Sequence, residues 1–129
     1  MFAIDTNVIV RYVTGDDPIQ SPKARALIEG APVFVTTTVL LETEWVLRRG
    51  YSYSNDTLVE TFQALAGLPT VALEDEALAA TAIDWLSRGM DFADALHLAA
   101  AAGCDAFMSF DQRLGKTAFA IGAMEVRAP

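Results

Sequence analysis

Met1-Phe2-Ala3-Ile4-Asp5-Thr6-Asn7-Val8-Ile9-Val10-Arg11-Tyr12-Val13 opens the chain as two apolar runs broken by Asp5-Thr6-Asn7. The first run has almost no polar alternation, the pattern of a strand covered on both faces. In the second, Val8, Ile9, Tyr12 and Val13 fall at helical spacing. Asp5 then stands between the end of a central strand and the start of a helix, the edge at which parallel α/β sheets bind ligands. Taken alone, an Asp at that point reads first as a helix cap. Other acids arriving at the same edge would change its meaning.

Downstream, strand and helix signals alternate. Gly15-Asp16-Asp17-Pro18 is turn chemistry, and Ser21-Pro22 offers an N-cap and a first-turn proline for a helix through Ala24, Leu27 and Ile28 that ends at Gly30. Val33-Phe34-Val35 is a short buried strand, and Thr36-Thr37-Thr38 suits the entry to a helix closed by Arg48-Arg49-Gly50. That helix is apolar on most sides. Its Glu44 has Arg48 one turn on, the pattern of an ordinary surface pair, whereas Glu42 has Trp45 and Val46 there and no cation, so either a metal meets it or it stands on an exposed edge of the helix. Leu58, Val59, Phe62 and Leu65 share one face of the next helix, and Leu78, Ala79, Ala82, Ile83 and Leu86 share a face of the one after Thr70-Val71-Ala72-Leu73, which reads as a strand. Asp91 caps a further helix with Asp94 in its first turn. Ala106 to Phe110 reads as a buried strand ending in Asp111, and Met124 to Arg127 as one more possible strand. The alternation predicts one α/β domain, a largely parallel central sheet flanked by helices.

Composition narrows the classes. The chain has 129 residues, 53% of them hydrophobic, enough for one core and too few for two domains. Cys104 is the only cysteine, so no internal disulfide forms and a reducing compartment fits. There is no basic segment ahead of an apolar one and no apolar run of about 18 residues, so the reading is a soluble, cytoplasmic protein without a membrane span. A net charge of −8 argues against a surface that coats nucleic acid and leaves room only for local contacts.

Asp5 and Asp111 follow strands, Glu42 lies about a turn into a helix after a strand, and Asp94 opens a helix. With right-handed crossovers all four arrive at one sheet edge. Two carboxylates about 4 Å apart repel by roughly 4 kcal/mol at an effective dielectric near 20, so four together require protons or divalent cations. An oxygen-only set suits Mg²⁺ or Mn²⁺; with one Cys and one His, His97, zinc is disfavoured. His97 reads as a packing or hydrogen-bonding residue, and Trp45 and Trp85 as core. Arg11, Arg48, Arg49, Arg113 and Lys116 are candidates for phosphate contact.

Asp5-Thr6-Asn7-Val8-Ile9-Val10-Arg11, Leu41-Glu42 before Trp45-Val46-Leu47, Phe92-Ala93-Asp94-Ala95-Leu96-His97 and Ser109-Phe110-Asp111 resemble the successive motifs of PIN domains. Length and spacing are most similar to VapC toxins of prokaryotic toxin–antitoxin pairs. The resemblance implies a Mg²⁺- or Mn²⁺-dependent endoribonuclease, a homodimer and a cognate VapB-type antitoxin. It also implies metal-binding, catalytic roles for Asp5, Glu42, Asp94 and Asp111, with Asn7 and Ser109 supporting them by hydrogen bonds; Asp91 is an extra acid, either ligand or cap. Two other classes stand beside this one. A receiver-type signalling domain would carry an acidic pair after its first strand and a lysine ending a late strand, and Asp5-Thr6-Asn7 and Lys116 match neither. A PIN-like module that binds without catalysis would have lost acids, and all four are present.

Overall fold

The computed structural model describes residues 1–129 as two compact units, Met1–Glu76 and Ala77–Pro129. The first unit is built on a parallel sheet ordered β1 (Phe2–Ala3), β2 (Val33–Val35), β3 (Val71–Leu73), with Phe2 opposite Val33 and Val33 opposite Val71. Its helices are α1 (Thr6–Thr14), α2 (Gln20–Gly30), α3 (Thr37–Gly50) and α4 (Asn55–Ala66). The second unit holds α5 (Glu76–Ser87, whose first residue belongs to the unit before), α6 (Phe92–Ala100), β4 (Phe107–Met108), α7 (Gln112–Ile121) and β5 (Val126–Arg127). Here β4 and β5 form a parallel pair of their own, Phe107 opposite Val126. The fold is therefore mixed α/β with parallel strands throughout, but the expected central sheet is three short strands plus a separate pair. No helix is long and apolar enough to cross a membrane.

Patterning decides most of this. Leu58, Val59, Phe62 and Leu65 are buried along one face of α4, and Ala79, Ala82, Ile83 and Leu86 along one face of α5, the stripes that helical periodicity predicts. Ser54, Asp91 and Asp111 cap α4, α6 and α7 by accepting amide hydrogen bonds from Thr57, Asp94 and Leu114. Gly15 ends α1 in the left-handed region at φ 62°, where a side chain would be strained.

Four expectations need correcting. β1 is the edge of its sheet, not a central covered strand, and Phe2 is exposed while Ile4 is buried; an apolar run specifies extended backbone but not what covers it. β4 is likewise not buried, since Met108 and Phe110 are exposed. Ser21 does not cap α2. The Asp17 carboxylate accepts from the amides of Ile19 and Gln20, and the Ser21 hydroxyl accepts in return from the Asp17 amide. In α3 the buried stripe is Leu40, Thr43, Glu44 and Leu47, so Glu44 is buried against Arg48 (2.6 Å) while Glu42 and Trp45 face solvent. The Thr43 hydroxyl is buried without a partner.

Candidate metal and nuclease site

In the first unit the site begins with Asp5, whose extended backbone ends the β1 segment and whose carboxylate accepts from the Thr6 amide at 2.8 Å, starting α1. The cap reading and a ligand role coexist, because a carboxylate offers about four acceptor positions and the cap takes one. Thr6 is buried, and its hydroxyl donates to Glu42 Oε1 on α3. This hydrogen bond ties the first turn of α1 to the exposed carboxylate of α3, so Asp5 and Glu42 are organised by the residue between them in the structure. Thr6 was given no role from the sequence. The signal that could have found it is the hydroxyl between Asp5 and Asn7, in the polar break that separates two apolar runs. Asn7, expected to support the acids, is exposed and lines an open cleft with Val8, Arg11, Gln20 and Lys23.

In the second unit Asp94 occupies the first turn of α6, its amide bonded at 3.0 Å to the carboxylate of Asp91. Its own carboxyl is half-buried and its pKa is raised, first by burial, then by the charges of Asp91 and Asp111, with His97 pulling weakly the other way. Asp91 is therefore a cap and also a second negative charge on Asp94. His97 is exposed, which corrects the packing role expected of it, and its effect on Asp94 is electrostatic. Asp111 is exposed and caps α7 through Leu114 at 3.1 Å. Ser109 supports it, but by accepting from the Asp111 amide at 3.0 Å, which fixes the backbone and leaves the carboxylate oxygens free of it.

The expected phosphate-binding cations divide in two. Arg11 is locked to Asp16 at 3.1 Å, to Tyr51 at 3.2 Å and to Gln20 at 2.9 Å, and Arg48 to Glu44 and Asn55, so both brace the fold. Arg49 lies over the exposed ring of Trp45, 5.8 Å from its centroid, which also overturns the core reading of that tryptophan. Lys116 and Arg113 are exposed near Asp111 in sequence.

The structure thus brings Asp5 and Glu42 together in one unit and Asp94, Asp91 and Asp111 in the other. In neither do three or more His, Cys, Asp or Glu side chains already form a metal-holding group. The chemistry of the donors nonetheless fits a hard divalent cation. All are oxygens, and the half-buried Asp94 with two like charges acting on it is the kind of carboxyl whose ionised form a cation would restore.

The PIN domain family matches residues 2–120, a span that includes all four acids, and no curated protein matches the chain.

Proposed function

Since this chain belongs to the PIN-domain family, a fold of nuclease type, we propose that it is a divalent-metal-dependent endoribonuclease and the toxin of a VapBC-type pair. The observation that carries the reading is the half-buried Asp94, its ionisation opposed by Asp91 and Asp111. An acid kept under that pressure is costly to a scaffold and useful to a metal site.

In this reading Asp5, Glu42, Asp94 and Asp111 are the acids that would hold Mg²⁺ or Mn²⁺. Bound there, the cation supplies a deprotonated water and charge stabilisation at the phosphodiester and its leaving oxygen. The chain's residues hold the geometry. Thr6 aims Glu42 by its hydroxyl, Ser109 fixes the backbone at Asp111, and Asp91 pins the first turn of α6 on which Asp94 stands. No Ser or Cys nucleophile with a base is called on, so the attack comes from water and no covalent intermediate forms.

The toxin assignment draws on the likeness in length and motif spacing to VapC proteins, which also supports a cytoplasmic homodimer bound by a VapB-type antitoxin. The open cleft of about 240 Å³ lined by α1 and α2 residues suits an antitoxin segment. Purified protein incubated with a mixed RNA pool in Mg²⁺, in Mn²⁺ and in chelator tests the mechanism: cleavage confined to the metal-containing samples is expected, and cleavage that persists in chelator refutes it. Growth arrest on expression, relieved by the neighbouring small gene, tests the toxin role.

A further inference from the structure

In the second unit an open cleft of about 490 Å³ lies beside Asp111, lined by Phe110, Lys116, Phe119 and Arg127 among others. Phe110 is 83% exposed and Phe119 is 90% exposed. Two phenylalanines left in water beside one cleft are unfavourable unless something covers them. Lys116 makes no ion pair, and Arg127 is held at 3.1 Å by Glu125 through Nε, which leaves its terminal nitrogens available. On a chain of net charge −8, Lys116 and Arg127 beside two bare aromatic rings, balanced by Asp111 in the lining and Glu125 on Arg127, make a locally neutral patch rather than an acidic one. Aromatic faces for bases and cations for the backbone are together how proteins hold single-stranded nucleic acid.

We propose that this cleft seats a single-stranded RNA segment leading to Asp111, with bases stacked on Phe110 and Phe119 and phosphates on Lys116 and Arg127. The inference rests on the nuclease reading for what happens at Asp111, but the binding itself does not. A duplex is excluded as the occupant, because its bases are already stacked on one another and cannot open onto a ring. A peptide partner could cover the rings, but the cations and the adjoining metal-ligand candidate favour a polyanion. Phe110 precedes Asp111 directly, so a base stacked there would set which phosphate reaches the acid. Phe110 and Phe119 would thus be specificity residues.

The test uses the full-length protein in chelator, so that nothing is cut, with a fluorescent single-stranded oligoribonucleotide about a dozen nucleotides long, within the span such sites cover. Phe110→Ala and Phe119→Ala are each expected to raise Kd at least about five-fold, the lower end of one base–aromatic stack, with Phe110→Tyr retaining wild-type affinity. Lys116→Gln should reduce the slope of log K against log salt by about 0.7, the loss of one phosphate contact on a single strand. Arg25→Gln, a surface cation of the other unit, should change neither. Affinity and salt slope unaltered in all three cleft variants, or a matched RNA duplex binding as tightly as the single strand, would overturn the proposal. So would alanine variants that lose self-association while keeping RNA affinity, which would assign the rings to a second copy of the chain. Circular dichroism of each variant separates misfolding from lost contact, and the salt slope of Lys116→Gln, an exposed substitution, decides the matter if a ring variant fails to fold. A wild type that binds through the cleft but cuts nothing in Mg²⁺ sinks the nuclease reading alone; one that cuts, with cleft variants indistinguishable from it, sinks the cleft alone.

Discussion

Asp94→Asn should stabilise the metal-free protein while abolishing cleavage. The substitution keeps shape and keeps the Asp94 amide that Asp91 caps, so no helix end is lost; it removes only the charge. Burial is the first cause of the raised pKa, and Asp91 and Asp111 add to it. Coulomb's law at an effective dielectric of about 20 gives roughly 2 kcal/mol for two carboxylates about 8 Å apart. Half-exposure and salt reduce the net effect to about 1 kcal/mol, roughly 4 °C in Tm for a protein of this size. The sign follows from linkage. An acid whose folded pKa is raised exerts no penalty below its unfolded pKa of about 4; the penalty builds as pH rises from there to the raised folded value and is complete above it. The mutant's advantage should therefore be present in chelator at pH 7, fade as pH is brought below about 4, and narrow in Mg²⁺, which stabilises the wild type more. Melting curves of both proteins in those three conditions check it. A mutant no more stable than wild type in chelator at neutral pH, or an advantage that survives unchanged at low pH, refutes the reasoning and leaves Asp94 as scaffold.

Thr6→Val keeps the buried volume and removes the donor to Glu42, so kcat should fall about ten-fold or more and stability by about 1 to 3 kcal/mol, the value of one hydrogen bond to a charged group; activity within two-fold of wild type would remove Thr6 from the site. Arg48→Met leaves the buried Glu44 carboxylate without its partner and should cost about 1 to 3 kcal/mol by urea titration, against a few tenths if the pair were a surface one. Tyr51→Phe removes the hydroxyl that is the largest cause of the lowered Asp16 pKa, ahead of Thr14 and Arg11. A lowered carboxyl contributes stability above its unfolded pKa of about 4 that is lost as pH falls through the folded value, so the stability gap between wild type and Tyr51→Phe should shrink as pH falls through that window; a gap independent of pH would show that packing, not charge, carries it.

Much of the chain was legible because its signals are local. Capping depends on residues three or four apart, so Ser54, Thr36 and Asp91 could be placed from sequence, whereas Asp111 reads as the end of a strand and not as the cap it is. Helix stripes depend on a fixed period, so the buried faces of α4 and α5 were read correctly. In α3 the period failed as a guide, since the buried stripe contains Thr43 and Glu44 while the exposed side carries Trp45. Residue type opposed position there, and only packing could choose. The same limit let Phe2 and Phe110 be taken for covered strand residues.

What the sequence determined by itself is the order of elements, the parallel α/β class and where along those elements the acids fall, because periodicity, caps and breaks act over a few residues. What only the tertiary structure decided is which side chains those acids meet. It made Thr6 the hydrogen-bond link to Glu42, thirty-six residues away, put Glu42 on the exposed side of α3 and buried Glu44, and set Asp91 and Asp111 to act on a half-buried Asp94. Burial and through-space charge depend on neighbours distant in the chain, and no local pattern encodes them.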